Sequence, residues 1–212
     1  MKCDSFGNNK VIQPLPATPS ADRNQEAIYR ALYPRFLARS QVLELGSGTG
    51  QHGVYVSERE PSICWQCSDT EDKLDGMQAW VAAAHVPMPS PIVLDVVALD
   101  NEPYLNAQAY DLVFTANTLH FVSSEIAASL VKCAAKALLY GGYFAVYGPF
   151  NDDGEFTSEG NRGLQDWLEA RDPKSGIKDF QWLDKVASQA GFDWYEQVPL
   201  PSNNFIRIYK KN

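Results

Sequence analysis

Along this chain short continuous apolar runs alternate with stretches in which apolar residues recur at helical spacing. The first helical stretch starts at Ser20 or Ala21 and sets Ala27, Ile28, Ala31 and Leu32 on one face. Pro34 ends or kinks it, because proline lacks the donor that the turn needs. Residues 41–45 then read as a buried strand and residues 51–59 as the helix that follows. Residues 61–68 form a second strand ending at Asp69. A helix capped by Thr70 or Asp72 carries Leu74, Met77, Trp80, Val81 and Ala84 as a stripe. Residues 91–94 are a third strand ending at Asp95, and residues 110–115 a fourth, after a loop with Pro103. Residues 123–139 suit a helix with a Ser123 cap, Glu125 in its first turn and Gly141-Gly142 to stop it. Residues 142–147 are the fifth strand.

Five alternations of strand and helix predict an α/β chain, a parallel sheet with helices on both faces. After Gly148-Pro149 the rhythm changes. Residues 151–163 are polar and turn-rich, helices are expected near residues 163–171 and 179–190, and strands at residues 192–198 and 205–209. The short turn between those strands, residues 199–204, makes them antiparallel. Residues 1–20, with Pro14, Pro16 and Pro19, are expected to be an extended arm. No repeat or linker divides the pattern, so a single domain is expected over residues 1–212.

The totals fit an ordinary α/β domain: 212 residues, 45% hydrophobic and 21% charged. A net charge of −8 and the lack of a Lys/Arg run longer than Lys210-Lys211 argue against a nucleic-acid partner. No apolar run approaches the roughly 18 residues of a membrane span, and residues 1–13 contain no signal-peptide core. Four cysteines (Cys3, Cys64, Cys67, Cys133) in this length do not suggest a disulfide framework, so a cytoplasmic setting is expected. Cys64-x-x-Cys67 lies in a strand, where residues three apart face opposite ways, and no metal site is expected.

The chemistry centres on Glu44-Leu45-Gly46-Ser47-Gly48-Thr49-Gly50, a strand that breaks into three alternating glycines before a helix. Glycine tolerates positive φ and lets a ligand approach the backbone, and the helix start presents unpaired N–H groups. Gln51 stands where the dinucleotide fingerprint G-x-G-x-x-G needs its third glycine, and no Lys-Ser/Thr pair follows for a Walker loop. What remains is the E-x-G-x-G-x-G pattern of S-adenosylmethionine (SAM) loops; the plain alternative is a turn that packs helix on strand.

Asp69, ending the second strand, can accept hydrogen bonds from ribose hydroxyls, or else cap the next helix. Asp95 with Val96, ending the third, suits an adenine edge, or is a solvated loop carboxylate. Past the fourth strand, Ala116-Asn117-Thr118-Leu119-His120 faces the methyl-transfer space. Asn117 can bind a substrate there and His120 can act as a base, although a lone histidine is more often structural. His52 is expected to line the cofactor site, and His85 to sit on the surface.

Assembled, these residues resemble a class I SAM-dependent methyltransferase. More closely, the chain resembles the methyltransferase-like protein 26 family. The likeness runs through Ala21-Asp22-Arg23-Asn24, Val42 to Gly50, Trp65-Gln66-Cys67-Ser68-Asp69 and Asn117-Thr118-Leu119-His120. It is most specific in Tyr147-Gly148-Pro149-Phe150, Gly154-x-Phe156-x-Ser158-x-x-Asn161, Arg171-Asp172-Pro173-x-x-Gly176-Ile177-x-Asp179 and Pro201-Ser202-Asn203-Asn204. Cys67 departs from it, standing where that family has proline. The resemblance implies a Rossmann-like sheet of seven strands, mostly parallel, in the order 3-2-1-4-5-7-6 with the last strand antiparallel. It implies a SAM site made by Glu44, Gly46, Ser47, Gly48, Gly50, Asp69, Asp95 and the backbone of Ala116-Asn117.

The expected activity is methyl transfer to a small molecule, with protein methylation or non-catalytic binding of SAM or S-adenosylhomocysteine as alternatives. Methyl transfer asks mainly for positioning and exclusion of water. His120, Asn117 and Tyr147 are the catalytic candidates. Residues 150–178 are expected to wall the acceptor pocket. Arg23, Asn24, Tyr147, Asn151, Asn161, Arg171, Asp172, Asn203 and Asn204 are the acceptor-binding candidates, although Gly, Pro, Asn and Asp here also make turns.

Overall fold

β1 (Gln41–Leu45) runs through the middle of a seven-stranded sheet, and its alternation sorts the core into two layers. Val42 and Glu44 face one side, Leu43 and Leu45 the other. The computed structural model describes residues 14–98 and 108–212. In chain order these form α1 (Pro19–Leu32), β1, α2 (Gln51–Arg59), β2 (Cys64–Asp69), α3 (Leu74–Ala83) and β3 (Ile92–Val93). Then come β4 (Tyr110–Ala116), α4 (Ser124–Ala137), β5 (Leu138–Pro149), β6 (Asn151–Asp152), β7 (Glu155–Phe156), α5 (Glu159–Arg171), α6 (Phe180–Gln189), β8 (Phe192–Leu200) and β9 (Asn204–Lys211).

The sheet order is β3-β2-β1-β4-β5-β9-β8, with β6 and β7 forming a separate ribbon. Counting only the strands of the large sheet, this is 3-2-1-4-5-7-6. β9 is antiparallel to both neighbours, and the pairs among β1 to β5 are parallel. This is the Rossmann-like methyltransferase fold that the resemblance implied. Ile28 and Leu32 of α1, Val56 of α2 and Met77 of α3 pack with Val42, Trp65 and Phe114 on one face. Leu130 and Ala134 of α4 and Leu183 and Ala187 of α6 pack with Leu43, Val113 and Phe144 on the other.

Several boundaries differ from the sequence reading. α4 ends at Ala137, not near Gly141: buried Leu138 turns extended and pairs with Tyr110, so β5 begins there. Gly141-Gly142 lies inside the β5 span, where the register shifts between Tyr110 and Leu112. A Cβ on Gly142 would stand 2.9 Å from the Asp111 carbonyl oxygen. α5 starts at Glu159, a turn earlier than expected, because Ser158 caps it by accepting from the Asn161 N–H. Gly160 and Gly163 had diluted the helical pattern there. α3 is preceded by a 3-10 turn, and neither Thr70 nor Asp72 caps it. Of its predicted stripe only Met77 is fully buried. The β6–β7 ribbon had no readable signal. Residues 1–13 of the expected arm, and the Pro103 loop, lie outside the described residues. The end of the arm docks: the Trp80 indole donates to the Pro16 carbonyl at 2.6 Å, and Thr18 N–H to Gln51 Oε1 at 2.6 Å.

Candidate active site

All five parallel strands end on one edge, and the pairing of Pro149 with Asn204 brings the β8–β9 turn to the same edge. There the chain between β1 and α2 places Gly46, Gly48 and Gly50 at φ of 71°, 58° and 85°. These left-handed conformations favour glycine. At Gly46 sterics add to this: a Cβ would stand 2.7 Å from Thr118 Oγ1, so the loop leans directly on the end of β4. At Gly48 the space is open, with no described residue within 4 Å of an added Cβ.

Backbone and side-chain bonds pin the loop to β2. Ser47 N–H donates to Ser68 O at 2.9 Å, Ser68 N–H to Ser47 Oγ at 3.0 Å, and Ser68 Oγ to Glu44 O at 2.6 Å. Asp69 completes the clasp: its Oδ2 accepts from Gly48 N–H at 2.8 Å, and its Oδ1 from Thr70 N–H at 2.7 Å. Leu94 N–H donates to Asp69 O, which sets Asp95 on the adjacent strand end. Asp95 is exposed, with Oδ1 accepting from Val97 N–H, and Val96 is half-buried beside it. An open cradle above Gly48, a carboxylate at its rim and a second one strand further along fit the ribose and adenine of a SAM molecule. Asp69, Asp95 and the backbone at Gly48 are the groups that can hold it.

Two residues assigned to that cofactor wall lie elsewhere. Glu44 and His52 sit beneath the glycine loop, because Glu44 follows Val42 on the face covered by α1 and α2. Glu44 is 1% exposed. Its Oε2 accepts from the Trp65 indole at 3.0 Å, while its Oε1 has no hydrogen-bond partner among the described residues and lies 3.6 Å from His52 Nδ1. His52 Nε2 meets Asn24 Oδ1 at 2.8 Å. Asn24 in turn lines the smaller cavity with Tyr147, whose phenol is held above its ordinary pKa by burial, with Asn24 and then Arg23 opposing. A polar chain thus runs Glu44–His52–Asn24–Tyr147 from the core to the crevice. Cys67, 3.9 Å from Glu44, has its thiol pushed well up by burial and then by that carboxylate.

The far end of that chain opens on two adjoining cavities of about 160 and 530 Å³. Asn117, Arg23 and Asn204 line both. Asn117 is held at φ 54° and donates its N–H to Tyr147 O at 2.9 Å. A non-glycine residue in that region carries about 1–3 kcal/mol of strain, which its surroundings must impose. Tyr147 and Asn24 line the smaller cavity; His120, Asn161 and Asn203 line the larger. His120 is 5% exposed, and burial, then the nearby Lys178 ammonium, pull its pKa down to about 4. Lys178 Nζ is itself buried, donating to Val122 O at 3.0 Å and Gly176 O at 2.9 Å.

Three acceptor candidates fall outside both linings. Asn151 is buried, joined to Lys178 O and Asp179 through its backbone. Arg171 lies over the rings of Trp167 and Phe121, and Asp172 accepts from Lys174 N–H at the end of α5. Ser20, Ser158 and Ser202 also line cavities; Ser158 and Ser202 belong to the strings that carry the family resemblance, and Ser20 lies at the start of α1. In β2, Cys67 is buried with Trp65 and Cys64 falls on the opposite face of the strand.

Solved structures share this fold at low sequence identity. An O-methyltransferase family protein from Burkholderia thailandensis matches with a TM-score of 0.73 and 18% identity, over 91% of this chain and 60% of that one. A putative O-methyltransferase from Nostoc punctiforme matches with 0.72 and 18%, over 91% and 57%. Human N-acetylserotonin methyltransferase in complex with SAM matches with 0.69 and 14%, over 91% and 53%. The chain therefore spans less than two thirds of the length of these structures. A family model described as "Protein of unknown function (DUF938)" matches residues 15–211, and the chain belongs to that family.

Proposed function

We propose that this chain is a SAM-dependent methyltransferase whose acceptor is a small molecule. One observation carries the reading. The open glycine cradle at Gly48, clasped by Asp69, shares a sheet edge with a polar cavity, and Asn117 at the end of β4 stands between them. Neighbours with this fold include proteins described as O-methyltransferases and others described with SAM or S-adenosylhomocysteine bound, which supports the same cofactor here. The finer likeness to the methyltransferase-like protein 26 family is also part of the proposal. It is supported by the way its most specific strings, at Tyr147, Ser158, Asn161 and residues 201–204, gather around the cavities.

When bound, SAM supplies an electrophilic methyl on sulfur. The chain's share is to hold the acceptor in line and keep water out. Asn117 and Tyr147 present hydrogen-bonding groups from fixed backbones, and His120 is uncharged at neutral pH because its pKa lies near 4. A neutral imidazole accepts a hydrogen bond from the acceptor's X–H, orienting the lone pair that attacks. Proton loss is assisted by that bond alone, since so weak a base draws little driving force from protonation.

No helix among the described residues is long and apolar enough to cross a membrane, and a cytosolic setting belongs to the proposal. Calorimetric titration with SAM, S-adenosylhomocysteine and NAD tests the cofactor: the first two bind and NAD does not. Binding of NAD alone overturns the assignment. Transfer of labelled methyl from SAM to a metabolite extract then tests the activity.

A further inference from the structure

The acceptor side of the site is unlike the rest of the molecule in charge. The chain carries 26 Asp and Glu against 18 Lys and Arg, yet among the described residues no Asp or Glu lines either cavity. The ionised side chain that lines both is Arg23, in the first half of α1. Arg30, Arg35, Arg59, Arg162 and Arg207 each meet a carboxylate, whereas Arg23, Arg39 and Arg171 make no ion pair among the described residues. Of these three, Arg23 is the one that lines the cavities, where its exposed guanidinium is open to an anion.

A second part of the larger cavity's lining adds positive potential. α5 starts there, and Ser158, Gly160 and Asn161 of its first turn line the larger cavity. A helix of this length presents partial positive charge at that end. Glu159 of the same turn points to solvent and lies 3.7 Å from Arg162, so it does not cancel that charge inside. The same lining includes His120, more than nine-tenths buried, with no hydrogen bond from its ring to any described residue. It offers hydrogen bonding without charge.

On the methyltransferase reading, we propose that the acceptor is a small organic anion whose carboxylate or phosphate is bound by Arg23 together with the first turn of α5, leaving its nucleophilic atom beside Asn117 and His120. The anionic group is the handle, and a separate oxygen, nitrogen or sulfur receives the methyl. That atom's lone pair forms the new bond to carbon, the sulfonium C–S pair stays on sulfur, and the acceptor's proton leaves to solvent. Arg23 suits this better than a lysine would, since its planar fork binds two oxygens at once.

The test uses the full chain and matched probes: hydroxylated aromatic and aliphatic carboxylic acids, each beside its own primary amide, followed by ligand-observed NMR with and without S-adenosylhomocysteine. Acids are expected to bind at least about tenfold more tightly than their amides, and Arg23→Gln to remove that preference. Arg39→Gln, an exposed arginine at the other end of β1, keeps it. Equal binding of acids and amides, or binding of neither, overturns the proposal, as does a preference that survives Arg23→Gln. Phosphate monoesters paired with their parent alcohols distinguish the two anions. Titration with S-adenosylhomocysteine separately decides the methyltransferase reading, because the acid–amide comparison is also made without cofactor.

Discussion

His52 Nε2 lies 2.8 Å from Asn24 Oδ1, and this bond joins the buried floor of the glycine loop to the acceptor cavity. Because an amide oxygen only accepts, the ring proton sits on Nε2, and Nδ1 faces Glu44 Oε1 at 3.6 Å. Truncating the two residues should therefore have different effects. His52→Ala removes the ring packed against the buried Glu44 Oε1 while the Trp65 indole keeps its bond to Oε2, and should lower stability by about 1–3 kcal/mol in a denaturant melt. Asn24→Ala removes the polar group beside Tyr147 and the partner of His52 Nε2, and leaves Glu44 untouched. It should lower stability in the melt by about 1 kcal/mol and kcat/KM about tenfold or more, with the affinity for S-adenosylhomocysteine unchanged.

Gly46 and Gly48 make a second contrast. Both have positive φ, so an alanine at either carries about 1–2 kcal/mol of backbone strain. At Gly46 the new methyl also meets Thr118 at 2.7 Å, and the melt should move further. At Gly48 it meets no described residue, and points into the space assigned to the cofactor. Gly48→Ala should be destabilised in the melt by that backbone strain alone yet lose most binding of S-adenosylhomocysteine by calorimetry. Unchanged binding there would place the cofactor elsewhere.

How much of this was legible beforehand follows from how local each signal is. Residues 41–45 and 51–59 were readable to the residue, since an apolar run, a glycine loop and a helix start succeed one another without a gap. Asp69 was readable as a strand end and does clasp Gly48. The Glu44–His52–Asn24–Tyr147 chain was not, because it depends on α1 packing across α2 and on which face of β1 bears Glu44. Turn residues such as Asn151 and Asp172 look the same in sequence whether they bind a ligand or close a loop.

Asp69 accepts from Gly48 N–H and Thr70 N–H, so it both shapes the loop and offers its remaining lone pairs to a ribose. Asp69→Ala should remove most of the thermal stabilisation given by S-adenosylhomocysteine. Asp69→Asn keeps an amide oxygen for Gly48 and should retain a larger part of it. Equal losses in the two variants would mean that charge, rather than the clasp, governs the site.

His120 makes a pH prediction whose sign follows from its burial. Its pKa is near 4 in the folded chain against about 6.5 when exposed, so between those values the unfolded state binds the proton and the folded state does not. Stability therefore rises with pH across that window, the contribution being complete above about 6.5 and lost progressively toward 4. The full shift corresponds to about 3 kcal/mol. Carboxylates titrate in the lower part of the same range, so the informative quantity is the difference between the wild type and His120→Gln. That difference should vary with pH between about 4 and 6.5 and level off above. In the rate the same neutrality appears as an absence: kcat/KM should show no inflection near 6.5 that His120→Gln abolishes. Such an inflection would mean that the imidazole gains a proton in the free enzyme, and that it acts as a base of ordinary strength.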